Sequence, residues 1–284
     1  MKMTVPGIGA VPHKLTMLTA YDYTMACLVD RSGAEMILVG DSLGMVVQGR
    51  KNTLGVSMDE MVYHSKAVVR GAQSALVVGD MPYLSYHVSP EETIRNAGRF
   101  VAEAGCDAVK LEGGIARLPM IRSLIQAEIP VMGHLGLTPQ SVNVMGGFKL
   151  QGKAPEQRQQ ILESALALQE AGVFALVLEC VPFDLAQEIT ESIHIPTIGI
   201  GAGPFCSGQV LVSYDLLGMS LGPLPKFVPT DLPGASIPEK LQGFVQSVRS
   251  GQFPSEKEAY GVNDTNRHLF HAAASGYLSQ VSEG

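Results

Sequence analysis

The fold class this sequence predicts is α/β, a (β/α)8 TIM barrel, and three observations predict it. Short apolar runs end in an acid four times over: Ile37-Leu38-Val39-Gly40-Asp41, Leu76-Val77-Val78-Gly79-Asp80, Ala108-Val109-Lys110-Leu111-Glu112 and Leu176-Val177-Leu178-Glu179. Runs of this kind read as strands buried on both faces, as in parallel sheets. Capped helical segments alternate with them. The length, 284 residues with 46% apolar and 17% charged, suits one large barrel core.

Taken in order, residues 1–14 are Gly- and Pro-containing and read as an irregular lead-in. Strand one is Thr16 to Ala20, and Asp22 caps a helix to Ser32 that Gly33 ends. Strand two runs into Asp41. Ser57 and Glu60 form a capping box for a helix to Arg70. Strand three is Ala75 to Gly79, and Ser89-Pro90-Glu91-Glu92 opens the next helix with a cap, a proline and acids. Strand four ends at Glu112, a helix covers Ala116 to Ala127, and strand five is Pro130 to Gly133. A long loop is expected from His134 to Lys153, then a helix from Pro155 to Ala171 with Gly172 as its stop. Strand six ends at Glu179, Pro182 to Ile193 is helical, and strand seven is Thr197 to Gly201. Gly208 to Leu216 reads as helix, Met219-Ser220-Leu221 as a weak strand eight, and Pro238 to Val248 as the last helix. Eight strands alternating with eight helices favour a closed barrel over a doubly wound sheet. The expected division is one catalytic barrel over 1–254 and a tail over 255–284, a short helix or an arm onto a partner subunit.

The net charge of −7, without a block of Lys or Arg, argues against nucleic acid and anionic membrane surfaces as partners. No apolar run is long enough for a membrane span, and the first residues lack the apolar core of a signal peptide, so a cytoplasmic protein is expected. Cys27, Cys106, Cys180 and Cys206 form no C-x-x-C pair and read as reduced, packed thiols.

Strand ends gather at one rim of a barrel, so Asp41, Asp80 and Glu112 are expected to converge. Oxygen ligands without a His or Cys cluster suit a hard cation such as Mg²⁺. The alternative is that each acid caps the helix after its strand. Lys110 and Glu112, two apart on a strand, face the same way. Lys110 either pairs simply with Glu112 or meets an anionic ligand. Three carboxylates, one lysine and one dication sum to zero, a balance that admits a keto acid and stabilises an enolate. Glu179, beside apolar Val177 and Leu178, suits a general base, with a structural acid as the alternative. His134 is a candidate to polarise a substrate carbonyl or fix a ligand, or is structural. Gly199-Ile200-Gly201-Ala202-Gly203 is half a dinucleotide fingerprint at most, and reads better as a wall without side chains.

Several stretches together resemble the ketopantoate hydroxymethyltransferase (3-methyl-2-oxobutanoate hydroxymethyltransferase) family. They are Thr19-Ala20-Tyr21-Asp22, Val39-Gly40-Asp41-Ser42-Leu43-Gly44, Lys110-Leu111-Glu112-Gly113-Gly114 and Gly133 to Ser141, with Leu178-Glu179-Cys180-Val181-Pro182, Ile198 to Gly203 and Pro225-Lys226-Phe227. The resemblance implies a barrel of the phosphoenolpyruvate mutase/isocitrate lyase type and a homo-oligomer, a decamer in bacteria. It implies transfer of a hydroxymethyl group from 5,10-methylenetetrahydrofolate to α-ketoisovalerate, the first committed step toward pantothenate. By the family's pattern Asp41 and Asp80 bind Mg²⁺ directly and Glu112 acts through a water. Ser42 and Lys110 hold the keto acid, with Asp41, Asp80 and His134 also in the substrate site, and Glu179 is the base. The chain departs from the pattern at Arg50, where the family usually has His, and at Gly55, where it usually has Pro, which leaves a loop near the metal more flexible.

Two rivals weigh less. A carbon–carbon lyase of the same superfamily would carry a cysteine in a lysine–cysteine–glycine–histidine loop, and here the stretch reads Val131-Met132-Gly133-His134. A silent binding subunit would have lost one of Asp41, Asp80, Lys110, Glu112 or Glu179, and all are present.

Overall fold

A computed structural model describes residues 2–221, 223–232, 234–261, 263 and 264. Eight parallel strands close into a barrel in sequence order. The strands are β1 (Leu15–Thr19), β2 (Met36–Val39), β3 (Leu76–Asp80), β4 (Ala108–Glu112), β5 (Val131–Gly136), β6 (Ala175–Glu179), β7 (Thr197–Ile200) and β8 (Gly208–Leu211). β1 closes on β8 with Leu15 opposite Gly208 and Leu18 opposite Leu211. The apolar runs that marked the strands are buried along their length, inward into the barrel and outward under the helices.

The helices follow the caps. α1 (Val5–Ile8) precedes the barrel and α2 (Tyr23–Ser32) is capped by Asp22 on the Met25 amide. After α3 (Leu43–Val46), the Ser57–Glu60 capping box starts α4 (Met58–Gly71). Ser89 caps α5 (Pro90–Gly98), which widens into a π-helical turn over Arg99–Ala104. α6 (Leu118–Gln126), α7 (Val142–Met145), α8 (Pro155–Ala171) and α9 (Phe183–Ser192) lead to α10 (Ser213–Leu216) and α11 (Ile237–Arg249).

Three expectations are corrected. The lead-in is not wholly irregular: Thr4 caps α1, and Ile8 is buried. β5 continues through Gly136, so His134 is a strand residue aimed inward rather than the start of a loop. Strand eight is Gly208–Leu211, where a helix was expected, and Met219 and Leu221 are exposed. Residues 201–207 join β7 to β8 by turns. The reason is steric. A Cβ on Gly208 would lie 2.5 Å from the Leu15 carbonyl oxygen, so only a glycine lets β8 reach β1 and close the sheet.

Beyond the last helix, Tyr260 is buried against Phe227, and its carbonyl accepts from the Phe183 amide. Lys226 Nζ donates to the Ala259 carbonyl and to Asp264. Ala259 and Tyr260 therefore lie against the start of α9 and the segment between α10 and α11. The tail over 255–284 was expected to hold a short helix or an arm; residues 255–261, 263 and 264 form no helix, and the rest of it lies outside the described residues.

The Gly208 contact yields a prediction. Gly208→Val wedges β8 from β1 and should destabilise by roughly 2–3 kcal/mol, a drop in Tm of several degrees. Thermal melting followed by circular dichroism reads it. An unchanged Tm would show that the closure does not depend on this close approach.

Candidate active site

The strand ends carry their acids to one mouth. Asp41, Asp80, Lys110, Glu112, His134 and Glu179 line a single pocket with Ser42, Leu38, Val177, Ile200 and Val210. All six of those ionisable residues are buried, none more than 7% exposed. Among the described residues, none of these acids caps the helix after its strand: Ser42, Ser89, Gly114 and Pro182 hold the cap positions of the segments that follow. The acids are turned inward instead.

The contacts form one connected chain. Lys110 Nζ sits 2.8 Å from Asp80 Oδ1, so the lysine pairs with Asp80 and not simply with Glu112. The backbone N–H of Asp41 donates to Asp80 Oδ2 at 3.2 Å. Lys110 Nζ is 3.3 Å from His134 Nδ1. A lysine ammonium only donates, so Nδ1 accepts and the ring proton belongs on Nε2. Nε2 faces Glu179 Oε2 at 3.1 Å, and Nδ1 lies 3.6 Å from Glu112 Oε1. His134 thus links the expected base to the acid cluster. At the rim, Ser42 Oγ shares a hydrogen bond of 2.9 Å with Tyr21 OH.

Electrostatics follow from burial. Desolvation, then the neighbouring Asp80 charge, pushes the Asp41 carboxyl up to about 7. Burial raises Glu112 well above the usual carboxylate range and Glu179 to about 8. Burial pulls Lys110 down, but Asp80, Glu112 and Asp41 together outweigh it and hold the ammonium charged. Burial and the Lys110 charge keep His134 neutral.

The donor set fits a hard dication. Asp80 Oδ1 touches Lys110 but has no aligned hydrogen-bond donor, and His134 Nε2 also lacks an aligned partner. Among the described residues no three His, Cys, Asp or Glu side chains form a complete cage. Mg²⁺ keeps several waters and takes only one or two carboxylates from a protein. Asp41 and Asp80 are the residues that would hold it directly.

Three residues escaped the sequence reading. Gln140 donates its side-chain amide to Asp41 and its backbone N–H to Glu112, Tyr86 OH supports Gln140, and Tyr21 supports Ser42. Neutral side chains at these positions carry no signal in charge or spacing. In the Gly-rich stretch after Thr197 it is Ile200 that lines the pocket, and the glycines at 199 and 201 face protein side chains. The space beside Gly199 is taken by Cys206 and Gln209, and that beside Gly201 by Phe227, Tyr260 and Cys180.

Buried acids set against a lysine lie at the C-terminal mouth of a (β/α)8 barrel, where barrel enzymes carry their active sites. Solved structures of low identity agree on the fold. Phosphoenolpyruvate phosphomutase from Streptomyces platensis subsp. rosaceus superposes with a TM-score of 0.58 at 15% identity, over 75% of this chain and 81% of that one. 2,3-Dimethylmalate lyase, a member of the PEP mutase/isocitrate lyase superfamily, gives 0.56 at 15%, over 77% and 83%. The family model of ketopantoate hydroxymethyltransferase matches residues 4–256. A 3-methyl-2-oxobutanoate hydroxymethyltransferase of Syntrophomonas wolfei is 56% identical over 89% of this chain and 92% of its own. One from Heliobacterium modesticaldum is 54% identical over 90% and 94%. The chain belongs to the ketopantoate hydroxymethyltransferase family.

The buried acids set a pH dependence. Asp41 and Glu179 titrate higher folded than unfolded, so the folded protein holds their protons longer. Their contribution to stability is complete below the ordinary carboxylate range and is lost as pH rises through about 7 and about 8. The Tm of metal-free protein should therefore fall from about pH 4, where the unfolded carboxyls ionise, and level off above about pH 8, and Asp41→Asn should flatten the fall below about pH 7. A Tm rising over that interval, or an unchanged slope in the variant, would contradict the assignment.

Proposed function

We propose that this chain transfers a hydroxymethyl group from 5,10-methylenetetrahydrofolate to 3-methyl-2-oxobutanoate, giving ketopantoate and tetrahydrofolate, with Glu179 as base. The relatives' names support the reaction. The observation that carries it in this chain is the placement of Glu179, a buried acid raised to about 8 that shares one pocket with the acids and Lys110. A carboxylate of that basicity removes a carbon-bound proton far better than an ordinary one and is still half ionised near its pKa.

The other residues follow from chemistry. Lys110 and the Ser42 hydroxyl supply charge and a donor for the substrate carboxylate. Leu38, Val177, Ile200 and Val210 give the branched alkyl end an apolar wall. His134, neutral, carries its ring proton on Nε2, 3.1 Å from Glu179 Oε2. Asp41 and Asp80 would hold Mg²⁺, with Glu112 acting through water, and the bound cation would supply positive charge to acidify the C3 proton and steady the developing oxyanion. Glu179 takes that proton, the C3 carbanion forms its bond to the methylene carbon carried as an iminium on folate, and water then breaks the methylene–nitrogen bond, its hydroxyl going to the methylene carbon and its proton to the leaving nitrogen of tetrahydrofolate. A homo-oligomer, decameric by family resemblance, and a cytoplasmic location belong to the same proposal. Among the described residues no helix is long and apolar enough to cross a membrane.

Proton NMR of 3-methyl-2-oxobutanoate in D₂O with Mg²⁺ and no folate tests the first half. The C3 signal should disappear with the protein and persist with EDTA. Glu179→Gln should slow exchange by roughly 10²–10⁴-fold with keto-acid binding retained. The wild-type rate should rise with pH as the base ionises. Near-normal exchange in the variant would remove Glu179 from the role. Binding without any exchange in the wild type would show that enolisation waits for folate or uses another base.

A further inference from the structure

We infer that Gln140 is the positioning residue of the acid cluster, holding Asp41 and Glu112 in the arrangement that a divalent cation needs. The inference rests on the reading that Asp41, Asp80 and Glu112 form a Mg²⁺ site.

Gln140 is 4% exposed, although it lies in a rim loop, in the single turn Pro139–Ser141. Every polar group it presents toward the cluster is used. Nε2 donates to Asp41 Oδ2 at 2.9 Å and to the Met81 carbonyl at 3.0 Å. Oε1 accepts from Tyr86 OH at 2.6 Å. Its backbone N–H donates to Glu112 Oε2 at 3.1 Å. Tyr86 OH in turn accepts from the Glu112 N–H at 3.2 Å. The amide cannot be flipped, because its oxygen would then oppose both a carboxylate and a carbonyl.

Each of the three acids receives a neutral N–H. Asp80 receives one from the Asp41 backbone, while Asp41 and Glu112 both receive theirs from Gln140. Like charges at this distance otherwise turn their side chains apart or take up protons. A glutamate at 140 would add a fourth acid and remove the donor. An asparagine would be one methylene too short to span Asp41 and Tyr86. The turn that carries Gln140 is itself pinned, with Thr138 Oγ1 donating to Ser141 Oγ at 2.9 Å. Partners of metal-ligating carboxylates act in this way, by orienting ligands they never replace.

The test reads cation binding directly, without substrate. Mn²⁺ is titrated into wild type, Gln140→Leu, Tyr86→Phe and the double variant, with free Mn²⁺ followed by electron paramagnetic resonance and folding checked by circular dichroism. Gln140→Leu should weaken Mn²⁺ by about 10–100-fold. Tyr86→Phe, which removes one buried oxygen and keeps the ring, should weaken it less. The double variant should be weaker by less than the product of the two effects, since the hydroxyl works largely through Gln140. C3 exchange by Gln140→Leu should recover as Mg²⁺ is raised, so that the loss sits in the metal requirement and not in the limiting rate. Folded variants that bind Mn²⁺ as tightly as wild type would overturn the inference and leave the reaction untouched. If Gln140→Leu does not fold, Tyr86→Phe decides alone. A wild type that binds no Mn²⁺ would overturn the metal reading and this inference with it.

Discussion

The pairing of Lys110 with Asp80 inside a ring of further acids is the interaction on which the rest of the mouth depends. Asp41, Asp80, Glu112 and Glu179 are all buried at one end of the barrel, and desolvating that many carboxylates is strongly unfavourable. One lysine at 2.8 Å from Asp80 offsets part of the charge. The protein bears the remainder in two ways visible in the structure: Asp41, Glu112 and Glu179 hold protons at unusually high pH, and backbone and amide N–H groups are aimed at the carboxylates. Removing any one charge unbalances the others, so substitutions here should be strongly non-additive.

Glu179 is held as firmly by backbone as by side chains. Its carbonyl accepts from the Leu137 N–H at 2.8 Å. That approach exists because Gly136 has φ +94° and no Cβ, which would overlap the Glu179 carbonyl oxygen. The next residue, Cys180, has φ +46°, a left-handed conformation that a residue with a side chain adopts at a cost. Its N–H reaches the Ile200 carbonyl, and its own carbonyl accepts from Gln151. The chain is thus turned sharply just past Glu179 and fastened to strands and loops on both sides. The thiol of Cys180 points to Gly201 and away from the pocket, a role in packing and not in chemistry.

Much of this was legible in the sequence because it is local. An apolar run ending in an acid states both the strand and the rim position, and Lys110 with Glu112 shares a face by simple alternation. What was not legible depends on contacts between residues far apart. Strand eight was misplaced because Gly208-Gln209-Val210-Leu211 is too short for a clear period and runs straight into the helical Ser213–Leu216. Its identity comes from Leu15 across the closure, which no window around Gly208 contains. Gln140 and Tyr86 are neutral, and their worth lies in reaching Asp41 and each other across the fold. His134 was singled out, but its tautomer was not legible, since that is set by Lys110 on the neighbouring strand.

The Arg50 and Gly55 departures can be read in the same physical terms. Losing a proline at 55 frees the backbone between α3 and α4, and the expectation was a looser loop. Instead the Arg50 guanidinium donates to the Gly55 carbonyl and reaches Glu60 Oε1 at 2.6 Å. Glu60 already closes the capping box with Ser57 at the start of α4. One arginine therefore ties the loop across its neck to the helix that follows. A Cβ at position 55 would lie 3.3 Å from Arg50 Nη1, so the small residue makes room for the long one. An exposed ion pair of this kind contributes at most ~1 kcal/mol. Its effect is geometric: it restores by a side chain the restraint that a proline ring would have imposed on the backbone. The loop it closes carries Thr53, which lines the pocket beside Asp41. The two departures compensate one another, and the acids beneath them keep their wall.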